Sequence, residues 1–134
     1  MTDDIAINKA AIIRRCLERI REEYREDPER LDNFTIQDAV VLNLLRACEA
    51  AIDLAMHIVA SRSLGIPQSS RNAFELLEEH GVVSASAAQA MRNMVGFRNI
   101  AVHNYQRIER PVLEAILEKH LADFESFLSE LAVG

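Results

Sequence analysis

The stretch TIQDAVVLNLLRACEAAIDLAMHIVASRS, residues 35–63, decides the fold. It opens with Thr35-Ile36-Gln37-Asp38, a capping box in which the Thr hydroxyl caps a free amide and Asp38 reaches back. Twenty-odd residues follow without Gly or Pro, until Gly65 and Pro67 end the run. Apolar side chains occupy nearly every side of the helix this predicts, which places it at the centre of the molecule. Its polar residues are Asn43, Arg46, Glu49, Asp53 and His57. At 100° per residue they fall within about 120° of arc. Such a strip either meets solvent, with structural ion pairs, or lines a polar site.

Working outward, the pattern predicts four more helices. Asp4 to Arg25 carries Ile13, Leu17, Ile20 and Tyr24 at 4-3-4 spacing, and Asp27-Pro28 stops it. Ser69 to His80 is short, capped by Ser69 or Ser70 and ended by Gly81. A fourth helix follows the Ser84 cap and runs to about His103. A fifth starts at Pro111, a favoured first-turn residue. There Leu113, Leu117, His120, Phe124, Phe127 and Leu131 keep 4-3-4-3-4 spacing, so His120 is expected in the core or an interface. Glu114, Glu118, Glu125 and Glu130 read as a solvated acidic flank. Five amphipathic helices with short connections make an antiparallel all-α bundle, one domain over residues 1–134.

Composition agrees. Aromatics are only 5%, Trp is absent, and there are 4 Gly and 3 Pro, which argues against a β-sandwich or barrel. The 49% apolar content excludes global disorder. A net charge of −6 excludes a broad basic coat for nucleic acid. Of 15 cations only Lys9 and Lys119 are lysines, and Arg suits bidentate pairing with carboxylate or phosphate. Cys16 and Cys48 lie in apolar stretches without metal-ligand spacing and read as buried free thiols of a reducing compartment. The opening MTDDIAINKA lacks a basic region followed by an apolar block, so no signal peptide is expected. No apolar run nears a membrane span. These features point to a cytoplasmic protein with no membrane contact.

The segment Met94-Val95-Gly96-Phe97-Arg98-Asn99-Ile100-Ala101-Val102-His103-Asn104-Tyr105 carries the chemistry. Met91, Val95, Arg98 and Val102 share one helical face, so an Arg stands where the apolar stripe points. A charge there needs a partner. Either an acid such as Glu49 or Asp53 meets it, or it lines a cleft that receives an anion. His103 lies about 140° around the helix from Arg98, so one straight helix does not bring them together. They converge if the helix ends or bends near His103, or if a symmetry mate supplies the second set. Asn104 favours a chain turn before Tyr105.

The run Arg98-Asn99-Ile100-Ala101-Val102-His103-Asn104-Tyr105 resembles the Arg-x4-His-x-Tyr signature of HepT-like toxins, a branch of the HEPN superfamily of helical ribonucleases. The Gln37–His57 stretch and the MVGFRN lead-in are similar as well, so the resemblance covers essentially the whole chain. It implies metal-independent RNA cleavage by a homodimer, with Arg98 and His103 as catalytic residues in a cleft between protomers. Around them Asn99, Asn104 and Tyr105 are expected to support or bind substrate, and Glu49 and Asp53, at i and i+4 on the polar strip, to orient Arg98 or hold an antitoxin Arg. It implies a minimal nucleotidyltransferase antitoxin as partner, with the Tyr105 hydroxyl as the target of adenylylation. No cofactor or metal is expected. RNA brings its own 2′-hydroxyl nucleophile, His titrates near neutrality, and Arg stabilises developing phosphate charge. The acidic balance leaves Arg71, Arg92, Arg98, Arg107 and Arg110 to supply local positive charge, in a narrow cleft rather than a broad surface. The other class of function is a non-catalytic helical dimer that binds the nucleotidyltransferase as its substrate subunit.

Among the remaining histidines, His57 ends the polar strip and is expected to face solvent, while His80 is expected at a helix C-terminus. No zinc spacing, Gly-rich phosphate loop or nucleophile elbow occurs.

Overall fold

In the computed structural model, which describes residues 3–133, every regular element is helical. The bundle consists of α1 (Asp4–Tyr24), α2 (Phe34–Ser61), α3 (Ser70–Glu79), α4 (Ala85–His103), α5 (Arg110–Ala115) and α6 (Leu121–Glu130). A π-turn, Ile116–His120, joins α5 to α6, so these three pieces form the single rod expected as the fifth helix. Short 3₁₀ turns, Pro28–Asp32 and Tyr105–Arg107, occupy two of the connections.

Side-chain links across the bundle give its directions. Asp3 bonds His57 and Lys9 pairs with Asp53, so α1 begins beside the end of α2 and the two run antiparallel. Arg14 donates to the Val133 carbonyl, Arg21 pairs with Glu125, and Tyr24 donates to Glu118, so α1 is antiparallel to the last rod. Ser84 binds Glu130, and Arg98 and Tyr105 bind Glu49 and Asp38, so α4 runs against both α6 and α2. Helix α2 is central as expected, burying residues such as Val40, Leu44, Cys48, Ala51 and Leu54 on several sides.

Three expectations need correction. Asn33, not Thr35, caps α2: its side chain accepts from the amides of Thr35 and Ile36. An Asx cap two residues earlier is geometrically equivalent, and it releases Asp38 for another role. His120 is exposed and bonds Asp123. The π-turn inserts one extra residue into the helical phase, which rotates His120 outward and puts Leu121 into the core in its place. The glutamates of the last rod are not merely solvated. Glu118, Glu125 and Glu130 tie it to Tyr24, Arg21 and Ser84, and Glu114 pairs with Arg110 within it.

The remaining caps match their residues. Ser69 caps α3, Ser84 caps α4, and Gly81 takes φ +69 just after α3, where a side chain would be strained. His80 ends α3 with Nδ1 donating to the Leu76 carbonyl. Both thiols are buried and unpaired, and burial pushes Cys48 up to about 12, so it stays protonated at neutral pH. No helix among the described residues is long and apolar enough to cross a membrane.

Candidate active site on the fourth helix

Helix α4 leaves the core as it proceeds. Ala87, Ala88, Met91, Met94, Val95, Phe97 and Ala101 are buried, whereas Ile100, Val102 and His103 are exposed. The helix ends at His103 because Asn104 departs from helical angles (φ −157, ψ 78). Its amide still donates to the Ile100 carbonyl at 2.8 Å, closing the last turn.

Arg98 sits at the boundary between these halves, with 20% of its side chain exposed. Its Nη1 donates to Glu49 Oε1 at 3.0 Å and its Nη2 to Ser70 Oγ at 2.9 Å. Two partners on two helices fix the guanidinium plane, and each of those nitrogens retains a second N–H. Asp53 does not reach it; one turn further along α2, it pairs with Lys9 at 3.2 Å. The polar strip thus divides. Glu49 serves Arg98, Asp53 and His57 serve α1, Asn43 bonds the Ala39 carbonyl, and Arg46 is exposed.

His103 is held differently. It is exposed, and no hydrogen bond or ion pair ties its ring among the described residues. Helix α4 runs through His103, so the two residues stay about 140° apart around its axis. Asn99 is half-buried on the flank between Gly96 and His103, and Asn104 forms the helix stop.

Tyr105 opens the 3₁₀ turn and is 41% exposed. Its hydroxyl donates to Asp38 Oδ1 at 2.5 Å. Partial burial, then the Asp38 carboxylate, push its pKa up to about 12. A cavity of about 440 Å³ opens beside it, lined by Phe34, Gln37, Asp38, Val41, Gln106 and Ile108. A second, more apolar groove of about 540 Å³ runs between α4 and α5, past Met94, Phe97, Ile100, Val112 and Ile116.

Residues 13–131 match the model of the family described as Ribonuclease HepT-like. The chain belongs to this family. It is 45% identical over 126 residues to the mRNA nuclease HepT of Shewanella oneidensis, covering 94% of this chain and 95% of that one. Its backbone superposes with a TM-score of 0.92 on a toxin–antitoxin crystal structure with AMP-PNP, at 43% identity over 98% of this chain and 100% of that one. It superposes equally well, with a TM-score of 0.92, on a tri-AMPylated Shewanella oneidensis HEPN toxin in complex with an MNT antitoxin, at 43% identity, covering 99% and 100%.

In this HepT-like chain the sequence pattern misses two partners of the motif. Ser70 is one of the two serines at the start of α3; because Ser69 takes the cap, Ser70 is left for Arg98. Asp38, assigned to a capping box, instead holds Tyr105. Three of the five arginines are matched by acids. Arg92 pairs with Glu78, Arg98 with Glu49, and Arg110 with Asp32 and Glu114. No group of three or more His, Cys, Asp or Glu among the described residues is arranged to hold a metal ion.

Proposed function

We propose that this chain is the ribonuclease toxin of a toxin–antitoxin pair, working in the cytoplasm as a homodimer with Arg98 and His103 at its catalytic centre. The observation that carries this reading is the contrast within the motif. Arg98 is clamped by Glu49 and Ser70, as a group that must present charge in a fixed place. His103 stands exposed with no partner among the described residues, as a group that must exchange protons.

The chemistry follows from RNA itself. The 2′-oxygen attacks phosphorus, the bond from phosphorus to the 5′-oxygen breaks, and a 2′,3′-cyclic phosphate and a 5′-hydroxyl result. His103 takes the 2′-hydroxyl proton, and a second His103 in the dimer returns one to the leaving oxygen. The spare N–H groups of Arg98 balance charge on the non-bridging oxygens. The apolar groove between α4 and α5, with Ile100 and Val112 exposed, supports a second copy docking along α4.

The partner is a nucleotidyltransferase antitoxin, as in the complexes this fold resembles. Tyr105 is its target. The hydroxyl oxygen attacks the α-phosphorus of a nucleoside triphosphate and pyrophosphate leaves. Asp38, already accepting the hydroxyl hydrogen, takes the proton. The phosphodiester adds about one negative charge beside the motif and repels RNA.

The test is cleavage of RNA in the presence of EDTA, wild type against His103→Ala. A positioned acid–base is worth about 10²–10⁴ in rate, so the variant should lose nearly all cleavage while remaining folded and still binding the antitoxin. Undiminished cleavage by the folded variant refutes the assignment of His103.

A further inference from the structure

The site described so far offers RNA one cation, Arg98, on a face of α4 turned about 140° from His103. We infer that Arg71 supplies the missing one: a phosphate subsite for the RNA backbone on the same face as His103. This rests on the ribonuclease reading and adds a residue to it.

Three observations place the subsite. Helical phase puts Gly96 within about 20° of His103, and Asn99, between them along the axis, lies about 40° from His103 and 60° from Gly96. Arg71 lies across that face, its Nη2 only 3.1 Å from where a Cβ on Gly96 would stand. Glycine is what lets the guanidinium lie so close to the helix, because any side chain there would push it off. Finally, Arg71 is exposed and makes no hydrogen bond or ion pair among the described residues. Arg92, on this side of α4, is already neutralised by Glu78, and Arg98, on the other, by Glu49.

Side chains on a helix lean toward its N-terminus, so the His103 imidazole lies back over the turn leading to Gly96. A strand laid along the helix therefore meets the imidazole, then the half-buried Asn99 amide, then the Arg71 guanidinium. A planar guanidinium suits a phosphodiester, which it grips through two parallel N–H groups. The arrangement also answers the net charge of −6, since an unneutralised guanidinium beside the imidazole anchors the backbone locally where a basic coat is lacking.

The experiment measures binding of a 2′-O-methyl oligonucleotide, which has no nucleophile, to the purified chain across a salt series, beside cleavage kinetics on the matching RNA. Arg71→Ala should weaken binding about tenfold and flatten the slope of log affinity against log salt by about 0.7. It should raise KM and leave kcat within a few-fold of wild type. Arg71→Lys should keep the slope, since the charge remains. Arg15→Ala removes the same charge from an exposed position on α1 and should change neither. An unchanged slope in folded Arg71→Ala overturns the proposal, as does an equal loss in Arg15→Ala. Failure of the His103 assignment would show separately, in cleavage by His103→Ala, without touching these binding slopes.

Discussion

Two tyrosines make the same bond in opposite surroundings. Tyr24 donates to Glu118 and Tyr105 donates to Asp38, each joining elements far apart in sequence. Both stand at the end of the bundle where α1 finishes and α2 begins. Tyr24 is 3% exposed and packs where α1 meets the π-turn, next to a rod that buries Phe124 and Phe127. Tyr105 is 41% exposed on a 3₁₀ turn at the mouth of a cavity. One site is closed by packing, and the other is left open around α4's last turn. A hydroxyl bonded to a carboxylate therefore says little by itself; what surrounds the bond decides whether it holds the fold or offers a reactive group.

The sharpest way to break this contrast is to damage the closed core. Phe127 is fully buried and meets the Phe74 ring edge-on, with centroids 5.5 Å apart. Phe127→Ala leaves a cavity that the surrounding helices fill only partly, so it should cost about 3–5 kcal/mol. For a domain of this size that is a large share of the total stability. Urea denaturation should show it directly. At the open site His103→Ala should move the same curve by less than about 0.5 kcal/mol. If the two variants unfold alike, the division between a packed core and a working surface is wrong.

That division was only half legible in the sequence. The closed core is written in periodicity: Ile13, Leu17 and Ile20 on α1, and Leu113, Phe124 and Phe127 on the last rod, all fall in the core as their spacing requires. Periodicity does not reveal the π-turn, because Leu121 and His120 are neighbours and a single inserted residue exchanges them. At the open site the motif residues are adjacent in the chain and easily found. Their partners are not. Glu49 lies 49 residues from Arg98, Ser70 lies 28 away, and Asp38 lies 67 from Tyr105. Such pairings are set by how helices cross, which local pattern does not encode. The choice between Glu49 and Asp53 shows the limit: both sit on one strip, and only the offset between α2 and α4 selects Glu49.

A smaller effect comes from removing each hydroxyl in turn. Tyr24→Phe leaves Glu118 facing a ring edge in a half-closed setting. A hydrogen bond to a charged group contributes about 1.5–3 kcal/mol, and Tyr24 should lie near the lower end because Glu118 itself is exposed. Tyr105→Phe should cost no more than about 0.5 kcal/mol, since water replaces the lost partner on both sides. It should keep most of the nuclease activity and escape adenylylation by the antitoxin, which mass spectrometry of the co-expressed pair reads. Equal stability losses would mean that Tyr105 is a structural bolt like Tyr24.

The finest test is titration. The chain has two Tyr and no Trp, so its ultraviolet absorbance at high pH reports tyrosinate alone. Both hydroxyls ionise above the ordinary value of 10: Tyr24 through burial first and then Glu118, Tyr105, at about 12, through burial and then Asp38. The folded state holds these protons more tightly than the unfolded chain. Each bond's contribution is therefore complete below pH 10 and lost as pH rises through the folded value. For Tyr105 that window runs from about 10 to about 12. Tyr24 ionises higher still, so alkaline unfolding should accompany its step and not that of Tyr105. Asp38→Asn removes the charge facing Tyr105 but leaves its surroundings, so the first absorbance step should move down toward 10 without reaching it, because burial is the larger cause. The second step should stay where it was. If both steps move, the two sites are coupled. If neither moves, the Asp38 carboxylate does not hold the Tyr105 hydroxyl in solution, and the proton acceptor proposed for nucleotide transfer must be sought on the antitoxin.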